Sequence, residues 1–356
     1  MFNQWTDSIL KILAKLKECK ERYTDMSDCM QVDFPIDPEF LSFYELYLEM
    51  TRMTWRHEEV LGSNDRHAFM NVHPEVKKLY HVMLKMLERV DNIVGANWTE
   101  IVPENIRKVF IIDSIKIYIE YIEREHAFTY KKFITEFIDD PVKRAEMFSS
   151  FMTFGPIQRL SQYSERYIKN KEYKYGLAAN MLIEHVLLPM IFAFVGWTAD
   201  MTLDTMIRRV PGFIQANTFV MKDEATHARF AFMLIKKFPE LLPPESEMRR
   251  LCLEFMQFVE DFNSEAFGDL NLQGINSHTL NNIARCQIND ALDKMYPNNS
   301  GSLFKDIDPL PGYMLSSNVS KKESNFELNS VNYTKPGVAD WANAPKNPLE
   351  KKNKRV

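Results

Sequence analysis

Two Glu-x-x-His pairs, Glu123-Arg-Glu-His126 and Glu224-Ala-Thr-His227, offer the plainest chemistry in this sequence. Helical side chains at i and i+3 share a face, so each pair can present a carboxylate and an imidazole to one ion. Two such pairs are unsurprising by count alone, and their position makes the signal. Both fall in long apolar stretches, with Ile119, Ile122 and Tyr130 on the face of the first and Val220, Phe230 and Leu234 on that of the second. Two single carboxylates also stand in apolar sequence, Asp91 in MLKMLERVDNIVGANW and Glu184 in AANMLIEHVLLPMIFAF. A carboxylate buried alone is costly and protonates instead, so burying several requires cations, and no matching set of buried lysines is apparent. One carboxylate from each of two helices, with Glu-x-x-His from two others, is the ligand set of di-iron and di-manganese carboxylate bundles. Oxygen-rich donors with one imidazole per ion suit iron or manganese better than zinc or copper.

The elements that must position these residues read as helices almost throughout. Segments with helical periodicity run over about 38–55, 66–71, 74–97, 104–138, 142–152, 156–169, 174–195, 202–206, 210–237, 245–266 and 276–295. Pro103 opens the longest, and Asp139-Asp140-Pro141 closes it. Its stripe of Ile111, Ile115, Ile119, Ile122, His126, Tyr130 and Phe133 should face a core. The expected fold is all-α, a ferritin-like helical bundle around a buried dinuclear metal site. Three regions are expected: an N-terminal helix and arm over 1–37, the bundle over 38–296, and a disordered tail over 297–356 rich in Asn, Ser, Lys and Pro.

Composition removes other classes. With 356 residues the chain can bury a large core without staples. Its 44 Lys+Arg against 49 Asp+Glu argue against a nucleic-acid binder. Only 11 glycines occur, and neither a dinucleotide-binding nor a P-loop glycine motif is present. The four cysteines, Cys19, Cys29, Cys252 and Cys286, are widely spaced and suggest neither a disulfide framework nor a zinc knuckle. The apolar stretch from about 177 to 197 contains Glu184, His185 and Pro189 and reads as a buried helix, so no membrane association is expected and the location should be cytoplasmic.

In order and spacing these motifs resemble the small, radical-generating subunit of class I ribonucleotide reductase over roughly residues 40–335. The resemblance is carried by MTWRHEEV, LERVDNIV, IEREHAFTYKKFITEFIDDP, LIEHVLLPMIF, VMKDEATHARFAFMLIKK and LPGYMLSSNVSKKESNFELNSVNY. It implies that Asp91, Glu123 and His126 hold one ion and Glu184, Glu224 and His227 the other, with Glu123 and Glu224 able to bridge. It implies two iron ions per chain, manganese being the alternative, and a radical at Tyr130. Asp223 would hydrogen-bond His126, and Trp55 would continue that route to the surface. Tyr333 would pass the oxidising equivalent to a large catalytic subunit that converts ribonucleotides to deoxyribonucleotides. Leu188, Phe192 and Val220 would keep the radical dry, and the chain would form a homodimer.

The sequence departs from that pattern in places. The interval from Asp91 to Glu123 is one residue longer than usual, a rotation of about 100° unless a break near Asn97–Thr99 or Val102-Pro103 absorbs it. Pro189 should kink the helix that carries Glu184. The end, KNPLEKKNKRV, lacks an acidic, apolar docking peptide, leaving Trp341, Leu349 and Val356 as candidate anchors. Glu120, Glu125 and His185 are assigned to solvated faces or secondary structure. Two other readings compete: a stand-alone di-metal oxidase or oxygenase on the same bundle, and a metal-free structural paralogue. Tyr333 and Trp55 speak against the first, and the full set of six ligands against the second.

Overall fold

Apolar residues at helical spacing organise the chain into long helices whose buried faces merge in one core. The computed structural model describes residues 38–60, 65–168, 172–200, 208–270, 272–298 and 300–313. In chain order the helices are α1 (Leu41–Arg52), α2 (Asp65–Asn71), α3 (Pro74–Glu100), α4 (Glu104–Arg107), α5 (Phe110–Phe137), α6 (Pro141–Ser149), α7 (Gly155–Ile168) and α8 (Tyr173–Leu182). A π turn over Ile183–Leu187 then leads into α9 (Leu188–Ala199), followed by α10 (Pro211–Lys237), α11 (Glu245–Phe267) and α12 (Ser277–Met295). Among the described residues the nearest thing to a sheet is one isolated bridge between Leu272 and Ile275.

Helix boundaries follow the local chemistry. Prolines in the first turn open α3, α6 and α10, where a missing N–H costs nothing. Asp140 caps α6 by accepting from the amides of Val142 and Lys143, and Asn276 caps α12 by accepting from Thr279. The start of α10 is capped from a distance, as Asp65 of α2 accepts from the Gly212 amide at 2.8 Å.

Three expectations are corrected. The single helix expected over 104–138 is two, because the backbone turns extended at Val109, with ψ 108°, before α5 begins. The chain also leaves the helix at Ile101–Pro103, so of the two places expected to absorb a longer Asp91–Glu123 interval Val102-Pro103 is a break, while Asn97–Thr99 stay inside α3. At Pro189, where a kink is expected, the preceding turn widens to π geometry. Proline lacks the N–H that an α-helix would aim at the His185 carbonyl, and a wider turn accommodates that loss. Finally, the tail expected from 297 is packed over 300–313. The Leu303 and Phe304 amides donate to Asn289 Oδ1, Asn289 returns a hydrogen bond to the Phe304 carbonyl, and Tyr313 donates to the Gly274 carbonyl. The expected N-terminal helix, the 202–206 helix, Tyr333, Trp341, Leu349 and Val356 lie outside the described residues.

The segment Tyr173–Ala199 is long and apolar enough to cross a bilayer, yet other helices bury most of it, as a central core helix requires. Two glycines permit close approaches. A Cβ on Gly196 would sit 3.2 Å from the Tyr313 carbonyl, where the C-terminal strap crosses α9. A Cβ on Gly95 would sit 3.1 Å from Glu123 Cβ, so this glycine sets how near α3 comes to α5 beside the candidate ligands. Gly95→Val should therefore lower stability by about 1–3 kcal/mol despite valine's better helix propensity. A urea midpoint equal to or above that of the unmodified chain would show that the contact is slack.

Candidate metal centre

Four elements bring the six candidate ligands to one place. Asp91 comes from α3, Glu123 and His126 from α5, Glu184 from the π turn, and Glu224 and His227 from α10. Each is at most 2% exposed. Donor atoms of Asp91, Glu123, His126 and Glu224 lie within 4.8 Å of one another, and so do those of Glu123, Glu184, Glu224 and His227. Glu123 and Glu224 belong to both groups.

The geometry explains why those two are shared. Glu123 Oε1 is 3.0 Å from His227 Nδ1, while its Oε2 is 3.6 Å from His126 Nδ1. Glu224 mirrors it, with Oε1 3.1 Å from His126 Nδ1 and Oε2 3.3 Å from His227 Nδ1. Each carboxylate thus spans the two imidazoles with one oxygen toward each. Yet both oxygens of Asp91, Glu123 and Glu224, Glu184 Oε2 and the Nδ1 atoms of both histidines are buried without a hydrogen-bond partner. Orphaned donor atoms are rare in folded proteins, and their convergence here is what a pair of cations would satisfy. Four carboxylates also match the charge of two divalent ions, and oxygen-rich donors with one imidazole per ion fit iron or manganese. The residues therefore fit a dinuclear metal group.

Electrostatics without an ion point the same way. Burial, reinforced by Glu123, raises the Asp91 carboxyl well above its ordinary range, and burial does the same to Glu184. Burial opposes ionisation of Glu224 too, but the imidazoles, His227 first, push it down to about 2. Burial would neutralise His126, yet its contacts with Asp223, Glu123 and Glu224 hold it protonated well above the usual imidazole range. His227 is held likewise by Glu224 and Glu123. Protons occupy the place of metal charge.

Around the cluster, His126 Nε2 is 3.0 Å from Asp223 Oδ2, which also accepts from the Trp55 indole at 2.7 Å. The Trp55 ring stacks on His126 with centroids 5.6 Å apart, and it is itself buried. Tyr130 lies one turn beyond His126 and is fully buried, its phenol pushed well above the ordinary range by burial and by Asp91. Leu188, Phe192 and Val220 are buried in the same core. Of the neighbours set aside, Glu120 pairs with Arg124 and His185 with Asp290. Glu125 is not on a solvated face; it is buried and accepts from the His57 backbone and ring.

Sequence reasoning missed three polar residues that touch this site. Tyr130 donates to Asn217 Oδ1 at 2.9 Å, and Asn217 is itself oriented by donating to the Phe213 carbonyl. Trp98 and Asn180 both donate to Glu184 Oε1. Spacing held the signal: Asn217 stands seven residues before Glu224, Trp98 seven after Asp91 and Asn180 four before Glu184, each on its ligand's face.

An all-α ferritin-like bundle enclosing two carboxylate–histidine groups with shared glutamates defines the class of dinuclear-metal carboxylate proteins. The chain belongs to the ribonucleotide reductase small-chain family, whose family model matches residues 34–299. The human ribonucleoside-diphosphate reductase subunit M2 is 24% identical over 250 residues, 69% of this chain and 61% of the human protein. The chain thus spans about three fifths of that relative's length. Small chain 1 from Saccharomyces cerevisiae is 24% identical over 332 residues, 91% of this chain and 79% of the yeast protein. Among solved structures, the ribonucleotide reductase R2 subunit from Clostridium botulinum has a TM-score of 0.64 at 15% identity, covering 76% of this chain and 87% of its own. The ribonucleotide reductase Rnr4 homodimer from Saccharomyces cerevisiae has a TM-score of 0.62 at 18% identity, covering 86% and 96%. These structural likenesses bear on the fold.

The proton-filled cluster has a measurable consequence in the metal-free chain. His126 and His227 hold protons in the folded state that the unfolded chain releases near pH 6.5, so more protons are bound when folded. Stability of the metal-free chain should accordingly fall as pH rises from about 6.5, while metal loading should release protons and strengthen over the same range. Urea unfolding across that interval checks the first, and buffer-dependent binding calorimetry the second. A metal-free stability that rises with pH there would contradict the arrangement.

Proposed function

We propose that this chain is the radical-generating small subunit of a ribonucleoside-diphosphate reductase. The buried cluster of orphaned donor atoms with Tyr130 one turn away carries the reading. Asp91, Glu123 and His126 would hold one ion and Glu184, Glu224 and His227 the other, with iron proposed and manganese as the alternative. When bound, the metal pair supplies, with oxygen, the oxidising equivalent that takes an electron from Tyr130.

The rest of the work falls to the chain. Tyr130 is the group to be oxidised, its phenol oriented by the hydrogen bond to Asn217 Oδ1 in a core that Leu188, Phe192 and Val220 help to fill. Asp223 fixes the His126 ring and joins it to Trp55 through one shared carboxylate oxygen, a continuous path out of the cluster. Tyr333 would complete the path to a separate large catalytic subunit, where the ribonucleotide is reduced. The cytoplasm is the proposed location, on the wide spacing of the four cysteines in the sequence.

A homodimer is also proposed, supported by the yeast structural neighbour, itself a homodimer, and by the surface of α5. Phe110, Ile117, Tyr121 and Phe128 are all exposed, and their spacings of 7, 4 and 7 residues put them on one helical stripe. Ile117→Asp should shift the chain toward monomer in sedimentation analysis, and an unchanged dimer would place the interface elsewhere.

The deciding experiment loads the chain with ferrous iron, exposes it to oxygen and records electron paramagnetic resonance beside metal content. The expected result is about two ions per chain and a tyrosyl signal that vanishes in Tyr130→Phe. Two ions with no radical under either iron or manganese would favour the stand-alone oxidase, and full reductase activity in Tyr130→Phe would end the radical assignment.

A further inference from the structure

The two halves of the cluster are supported from opposite ligands. On the Asp91 side the imidazole is held, since His126 Nε2 meets Asp223, while both Asp91 oxygens are free of hydrogen bonds. On the Glu184 side the carboxylate is held, while both nitrogens of His227 are buried without a hydrogen-bond partner. Glu184 Oε1 accepts from Trp98 Nε1 at 2.6 Å and from Asn180 Nδ2 at 3.0 Å. A carboxylate oxygen has about two lone-pair sites, and two N–H donors fill them. Only Oε2 is left for an ion.

The donors are themselves locked. Asn180 Oδ1 accepts from Asn97 Nδ2 at 2.9 Å, and Asn97 Oδ1 accepts from Ser164 Oγ at 2.8 Å. The chain of hydrogen bonds runs Ser164 (α7), Asn97 (α3), Asn180 (α8), Glu184, always donating toward the carboxylate. Turning the Asn180 amide would set its oxygen against Glu184 Oε1, and turning Asn97 would set its oxygen against that of Asn180. All four residues, and Trp98 with them, are buried. A polar network of this kind, fully connected in a core, specifies one arrangement.

Resting on the metal-centre reading above, we propose that Trp98 and Asn180 are positioning residues that make Glu184 a one-oxygen ligand. The ion held by Glu184 and His227 then depends on the Ser164–Asn97–Asn180 chain, and the ion held by Asp91 and His126 does not. The two positions should differ in affinity and respond separately to substitution.

The test titrates the metal-free full chain with manganese(II) and counts unbound ion by its electron paramagnetic resonance signal. Asn180→Leu and Trp98→Phe should each weaken one of the two uptake steps about 10- to 100-fold, as loss of outer hydrogen bonds to a ligand does, and leave the other unchanged. Ser164→Ala, at the far end of the chain, should weaken the same step less. Circular dichroism and thermal unfolding of the metal-free variants verify folding; should Asn180→Leu not fold, Trp98→Phe decides. Both steps weakening together, or neither changing, would overturn the inference while leaving the metal centre intact. Absence of uptake by the unmodified chain would instead defeat the metal-centre reading, and the inference with it.

Discussion

Four carboxylates enclosed in an apolar core must be balanced by positive charge, and most of this structure follows from that requirement. Their side chains come from four separate elements, so each helix must reach the centre at a fixed height and rotation. Two imidazoles supply nitrogen donors but not enough charge. The aromatic and aliphatic residues around them keep water out, which makes the charge balance more exacting. Asp223 adds a fifth acid close by, tolerated because it accepts from both Trp55 and His126.

Rotation is controlled by irregular backbone. The break between α4 and α5 lets α5 start afresh, so its face is not dictated by the register of α3. The π turn inserts width into the Glu184 helix where that residue must face inward. Gly95 removes a side chain where α3 and α5 approach at Glu123. Each departure from the regular helix is small, and each lies within a turn or two of a ligand or sets the phase of a helix that carries one.

Much of this was legible in the sequence because long amphipathic helices announce themselves through periodicity, and the ligands interrupt that periodicity in a recognisable way. Glu123, His126, Glu224 and His227 were readable as pairs, and Asp91 and Glu184 as lone acids on apolar faces. The break at Val109 was not, since no glycine or proline marks it and the apolar stripe continues through Ile111 and Ile115. Neither was the π turn, whose cause at Pro189 was visible but whose form depends on how neighbouring helices pack. Asn217, Trp98 and Asn180 escaped notice because an amide or indole amid apolar residues looks like ordinary core until its partner across the bundle is known. The packing of 300–313 was hidden for the opposite reason. Its anchors are mainly backbone groups meeting Asn289 and Gly274, a pairing that composition does not encode.

That strap changes how the end of the chain should be pictured. By tying Tyr313 down against α9, where Gly196 leaves room for its backbone, the fold gives everything beyond a fixed mooring. Tyr333 stands twenty positions after Tyr313, a length of chain that can span at most about 70 Å. Whatever path the chain takes, Tyr333 cannot lie farther than that from one fixed point on the bundle.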